Sequence, residues 1–266
     1  MLEFRGPDAV RFLNGQLTQD VRLIAADGTT SLPSCVTDAK GKLQFRVLLT
    51  KADTDALWVS APAGSEEALS ARLTKYLIAD DVEFTDLTGS RHLWHFTGTV
   101  PEPPAGVIVR KANRYGIPGT DWWTSGAVEL PGDTVEDPLA LEALRIANGI
   151  PAWGRELVEG LLPPEAALED TDISYRKGCY IGQEVISRIK SAGKVNKLLT
   201  RFTADAGASP GCGPLQDAEG KPAGEITSVS PLAEEGIRHL LGFTKRGAES
   251  WFSQAADGTL RAIHRA

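Results

Sequence analysis

The sequence predicts an α+β fold that runs into a small all-β region. Two observations carry that prediction. Helix-like and strand-like patterns follow one another as helix, strands, helix, strands, helix, without the regular alternation of a parallel sheet. After about Leu198 the pattern changes. Ten Gly or Pro residues between Gly207 and Gly236 separate short apolar runs, and no helical stripe survives there.

The chain is expected to enter a helix directly, because Gly6-Pro7-Asp8 puts Pro7 at a first helical position and Asp8 at the positive helix end. Val10, Leu13 and Leu17 line one stripe, with Gly15 as a candidate for an early end. Thr37-Asp38-Ala39-Lys40-Gly41 is turn chemistry between two strands. The first arm holds Cys35 and Val36; in the second, Leu43, Phe45, Val47 and Leu49 alternate with Gln44, Arg46 and Leu48. A short strand from Leu57 to Ser60 precedes a helix capped by Ser65 and striped by Leu69, Leu73, Tyr76 and Leu77. Val82 to Leu87 and Arg91 to Thr97 read as strands, followed by a proline-rich loop at 101–106. Trp122 and Trp123 fall in a Gly/Asp-rich stretch expected to be loop. Asp137-Pro138 opens a helix with Leu141, Leu144 and Ala147 on one face, stopping at Gly149. In the tail, Ile226 to Val229 and His239 to Phe243 are strands of a small antiparallel barrel or sandwich.

Composition narrows the function classes. A chain of 266 residues buries roughly 70–75% of the surface its unfolded form exposes, so it needs no covalent staples. Its three cysteines, Cys35, Cys179 and Cys212, are odd in number and far apart, which argues against a disulfide framework and for a reducing compartment. With 28 basic and 35 acidic side chains the net charge is −7, so no direct nucleic-acid binding is expected. No run approaches the roughly 20 apolar residues a membrane helix needs, and the first residues lack the apolar core of a signal peptide. The expectation is a soluble, cytoplasmic monomer with no membrane partner. The four histidines show no metal spacing with the cysteines, Gly211-Cys212-Gly213 lacks a dinucleotide-loop context, and no Gly-x-Ser-x-Gly elbow occurs.

The most informative stretch is Lys177-Gly178-Cys179-Tyr180-Ile181-Gly182-Gln183-Glu184. Val185, Ile186 and Ile189 make an apolar stripe, and Glu184 and Arg188 are spaced i,i+4, so a helix should start near Gly182. Cys179 would then sit in a glycine-flanked loop before a helix N-terminus, two residues from Lys177. Both neighbours favour a thiolate. The other reading is a small buried hydrophobe with no chemistry.

Those eight residues, 177–184, resemble the signature of the YgfZ family, folate-binding relatives of the glycine-cleavage T-protein, an aminomethyltransferase. Further resemblance lies in Phe12 to Asp20, in Asp38-Ala39-Lys40-Gly41-Lys42, in Lys75 to Val82 and in the Asn148-Gly149-Ile150-Pro151 turn, so it spans nearly the whole chain. The resemblance implies a T-protein-like ring of three small domains around a tetrahydrofolate-type cofactor. Residues 1–197 would be the folate-binding region of two interleaved α+β subdomains, and 198–266 the C-terminal β-barrel. It further implies a role in making or repairing iron–sulfur enzymes, including those that thiolate tRNA, with Cys179 and Lys177 at the centre. Iron–sulfur enzymes or assembly proteins would be the partners.

One departure bears on activity. In aminomethyltransferases the strand after the equivalent Gly-Lys turn carries an acidic pair; here Leu43-Gln44-Phe45-Arg46-Val47 has no carboxylate. Acid–base work needs a titratable group within hydrogen-bond reach, so this argues against aminomethyl transfer, the alternative function. For folate itself the candidates are Trp153 and Trp122 to stack on a pterin, and Arg145 and Arg188 to pair with its glutamate tail.

Overall fold

The computed structural model describes residues 1–130, 134–193, 195–208, 210–254 and 258–266. Contacts divide the chain into unit 1 (Met1–Asn113, Ile117–Thr134 and Leu168–Arg188) and unit 2 (Arg114–Gly116, Val135–Ala167 and Ile189–Ala266). A boundary at 197/198 divides the chain by linear order; the contacts instead place residues 135–167 with the barrel.

Unit 1 starts with strand β1 (Leu2–Arg5), then helices α1 (Ala9–Gln16) and α2 (Val21–Asp27), strands β2 (Leu32–Thr37), β3 (Leu43–Lys51) and β4 (Ala56–Ser60), helix α3 (Glu66–Thr74) and strand β5 (Glu83–Asp86). Its five-stranded sheet has the order β2-β3-β4-β1-β5, all neighbours antiparallel. The expectation that the chain enters a helix directly is corrected here. Leu2 and Phe4 are fully buried and alternate with Glu3 and Arg5, making β1 the strand between β4 and β5. Four residues are too few for period-2 alternation to stand out in a sequence.

The apolar stripes of α1 and α3 meet the face of this sheet. Phe12, Leu13, Leu17, Leu69 and Leu73 join Leu2, Phe4, Val47, Leu49 and Val59 in one core. Each such side chain contributes about 1.5–3 kcal/mol by leaving water. α3 stops at Thr74, so Tyr76 and Leu77 lie beyond the helix, and Tyr76 is exposed.

A second sheet in unit 1 has the order β6-β8-β7, built from β6 (His92–Thr97), β7 (Ile108–Ala112) and β8 (Gly119–Thr124). The loop expected around Trp122 and Trp123 is thus the central strand. Asp121, which suggested a loop, is fully buried and meets His95 Nδ1 at 2.7 Å. Its partner is on another strand, which no local pattern reveals.

In unit 2, α4 (Pro138–Ala147) starts at Asp137, whose side chain accepts the Ala140 N–H. α5 (Gln183–Ala192) belongs to unit 1 through Arg188. Strands β9 (Lys197–Asp205), β10 (Gly213–Gln216), β11 (Pro222–Glu234), β12 (Ile237–Lys245), β13 (Trp251–Gln254) and β14 (Leu260–Arg265) close a barrel in the order β10-β11-β12-β9-β14-β13. This settles barrel against sandwich. Phe202, Leu215, Ile226, Leu240 and Ile263 fill its interior, and α4 packs on β11 and β12. Gly242 is required at the β11–β12 contact, where a Cβ would stand 2.1 Å from the Glu225 carbonyl oxygen. Among the described residues no helix is long and apolar enough to cross a membrane.

Candidate functional site

Three stretches far apart in sequence converge in unit 1: the end of α1 with its following turn, the β2–β3 hairpin, and the segment 168–184. Thr18 joins all three. Its Oγ1 donates to the Asp172 carbonyl oxygen at 2.6 Å and accepts the Cys35 N–H at 2.8 Å, and its own carbonyl accepts the Ser174 N–H at 3.0 Å. Gln19 Nε2 adds a bond to the Thr171 carbonyl at 2.9 Å.

Lys177 ties the signature to α1. Its Nζ donates to the carbonyl oxygens of Asn14 and Leu17 at 2.6 Å and of Gln19 at 2.9 Å. The last carbonyls of a helix lack intrahelical partners and carry the negative end of its dipole, so an ammonium with three protons suits them. Burial pushes the Lys177 pKa down to about 7, against the attraction of Asp20. Two residues past Cys179, the Ile181 N–H donates to the Gly15 carbonyl at 3.3 Å, and Thr37 Oγ1 donates to the Ile181 carbonyl at 2.6 Å. Gly182 follows at φ +88°, where a Cβ would stand 2.5 Å from the Asp38 carbonyl oxygen of the hairpin turn. Only glycine accepts that close approach in the left-handed region.

The result is a two-residue bulge. Lys177 and Tyr180 are 6% and 7% exposed, whereas Gly178 and Cys179 between them are exposed. Cys179 is therefore not the buried hydrophobe of the alternative reading. The Tyr180 ring lies 5.1 Å from Lys177 Nζ and packs with Ile173, Tyr175 and Ile186. Burial raises the phenol of Tyr180, and raises that of Tyr175 to about 12, so both remain neutral. The helix expected near Gly182 begins at Gln183.

Arg46 Nε and Nη2 grip Asp172 Oδ2 and Oδ1 at 2.7 and 3.1 Å. Asp172 is fully buried, and Thr171 Oγ1 also donates to its Oδ1. A carboxylate thus does reach the strand that lacked one, from 126 residues away. No motif marks Asp172, and although Thr18 and Thr37 fall in stretches the sequence singles out, only their tertiary contacts reveal what they hold. Cys35 pairs with Arg46 across the hairpin, and burial holds its thiol well above the usual range.

Of the four residues selected for folate, Trp122 and Arg188 lie in unit 1 and Arg145 and Trp153 in unit 2. Trp122 is corrected: it is fully buried, with its ring 4.5 Å from that of Phe96, and offers no face to a pterin. Arg145 is corrected too. It is 5% exposed and donates to Glu142, to Glu156 at 3.0 Å, to Ser228 Oγ and to the Ile150 carbonyl, so its fork is occupied within unit 2. Trp153 is half-buried in unit 2 and bridges to Leu157, while Arg188 is exposed in unit 1. Tyr180 Oη is a buried hydroxyl without a hydrogen-bond partner among the described residues. Trp122 Nε1 is another such donor, inside unit 1 like Tyr180.

No family model matches the chain. Among curated proteins, the tRNA-modifying protein YgfZ of Klebsiella pneumoniae is 26% identical, over 78% of this chain and 70% of that one. The human mitochondrial iron–sulfur cluster assembly factor IBA57 is also 26% identical, over 85% of this chain and 71% of that one. The chain is a relative of the YgfZ proteins. Its backbone follows that of the glycine cleavage system aminomethyltransferase T from Bartonella henselae, with a TM-score of 0.78 over 99% of this chain and 81% of that one, at 18% identity. The fold of this YgfZ relative is therefore the T-protein-like α+β fold with a C-terminal antiparallel barrel.

Proposed function

We propose that this chain is a folate-binding accessory protein for the synthesis or repair of iron–sulfur enzymes, tRNA-modifying ones among them, acting through Cys179. It works as a soluble, cytoplasmic monomer whose partners are a reduced folate and iron–sulfur enzymes or their assembly proteins. The folate-binding region lies within residues 1–197, of which 114–116, 135–167 and 189–197 group with the barrel of 198–266. The relatives' names support the iron–sulfur and tRNA half of this reading. The observation that carries it is the exposed Cys179 on a bulge fastened on both sides. A thiol that meets a partner protein must be accessible and held in one place. Aminomethyl transfer is disfavoured because Arg46 occupies both oxygens of the carboxylate that reaches β3. The folate half rests on the likeness of fold.

The test is complementation of a strain lacking its YgfZ-type protein. Cys179→Ala should fail where wild type restores iron–sulfur enzyme activity and tRNA thiolation; full rescue by that variant would remove Cys179 from the account. Tetrahydrofolate and 5-formyltetrahydrofolate, titrated against tryptophan fluorescence, should bind near micromolar, about −8 kcal/mol. Silence at millimolar folate would remove the cofactor.

A further inference from the structure

We infer that Lys177 is a positioning residue: its ammonium, seated on the carbonyl oxygens of Asn14, Leu17 and Gln19, fixes the Gly178–Cys179 bulge to the end of α1 and so sets where the thiol stands. The spacing in sequence suggested a different role, that of a cation acidifying its neighbour. Geometry argues otherwise. The three ammonium protons have three acceptors, all main-chain atoms of the end of α1 and the turn after it, and the side chain is buried while Cys179 is at the surface. Field from a cation so committed is partly cancelled by the dipoles it sits on, and an exposed thiol is screened by water.

The other side of the bulge is fastened by groups that carry no charge. Thr37 Oγ1 holds the Ile181 carbonyl, and the Gly15 carbonyl holds the Ile181 N–H. Lys177 and Thr37 are thus two clasps of one bulge, one ionic and one neutral. This difference makes positioning separable from electrostatics. Removing either clasp should free the bulge, while only Lys177 could alter the charge near Cys179. The Ile181 N–H reports on the clasps directly, because its acceptor belongs to the same α1 end that Lys177 grips.

The inference rests on Cys179 being the acting residue, but its test does not use the biological assay alone. Lys177→Met and Thr37→Val are made in the full chain. Hydrogen exchange at Ile181 and the rate and pH profile of iodoacetamide labelling at Cys179 are then followed, with Cys212 as an internal control. Charge-assisted bonds hold more strongly than neutral ones. Lys177→Met should therefore speed Ile181 exchange by about 10-fold or more and Thr37→Val by about 5-fold, and both should change the plateau labelling rate of Cys179. The pH midpoint should stay with wild type in Thr37→Val, and Cys212 should not respond. Should either variant fail to fold, the other still decides. A shifted midpoint in Lys177→Met, with exchange unchanged and Thr37→Val silent, would overturn positioning in favour of electrostatics. Unchanged exchange and labelling in both would make the two contacts incidental. If both variants loosen the bulge yet Cys179→Ala complements fully, positioning stands and the proposed function falls.

Discussion

Unit 1 and unit 2 each bury an arginine against a carboxylate, and the two pairs close very different lengths of chain. In unit 2, Arg145 and Glu156 are 11 residues apart, and Glu156 also accepts from the Ala152 N–H, Thr227 Oγ1 and Ser228 Oγ. That cluster folds the stretch after α4 onto β11. In unit 1, Arg46 and Asp172 are 126 residues apart, and their pair brings the segment leading to Cys179 against β3. Similar chemistry serves a local corner in one unit and assembles the candidate site in the other. A buried ion pair is weak evidence of stability but strong evidence of placement, since breaking it leaves an uncompensated charge.

The contrast breaks most sharply at Arg145. Arg145→Met strands the fully buried Glu156 and should cost about 3–5 kcal/mol, read by urea unfolding with amide exchange on β11 and β12. If Arg145 were instead a folate contact, affinity would fall with stability unchanged. Asp172→Asn should cost less, about 2 kcal/mol, because Arg46 keeps 20% of its side chain in water and the amide can still accept one hydrogen bond. It should speed exchange at Ser174 and the Thr18 turn while leaving β11 and β12 untouched; loss confined to unit 2 would sink the comparison.

A smaller effect separates the pairs in acid. The hydrogen bond from Arg145 holds the Glu142 carboxyl below its usual value, whereas burial opposes that shift. A carboxyl with a depressed folded pKa adds stability above its unfolded value of about 4.3, and that stability fades as pH falls through the folded value. Unit 2 should lose stability in that window, and Arg145→Met should flatten the dependence in a pH series of thermal melts. Smallest of all, Cys179→Ser should shift stability by less than about 0.5 kcal/mol, because the thiol is exposed. Native labelling should reach Cys179 and Cys212 in minutes but Cys35 only after unfolding; early labelling of Cys35 would contradict its burial.

Much of the fold was legible because its signals are local. Leu69 and Leu73 four apart, or Leu43 to Leu49 two apart, record in sequence which face meets the core. α2 and β1 escaped because seven and four residues hold too few periods. β8 escaped because Asp121 draws its support from His95, a partner on β6. The site divides in the same way. Cys179 and its glycines stand out within eight residues, whereas Thr18, Thr37 and Asp172 look like ordinary polar residues until the chain closes over them.

By itself the sequence determined the fold class, the segment that presents the thiol and the absence of a carboxylate along β3. Each is a matter of residue type and spacing over a few turns or one strand. Only the tertiary structure decided that Lys177 faces the end of α1, that Arg46 holds Asp172, and that Trp122 and Arg145 are committed to the interior. Hydrogen bonds and ion pairs act over about 3 Å in space whatever the separation along the chain. A residue whose partner lies 126 or 163 positions away therefore carries no local mark of its role.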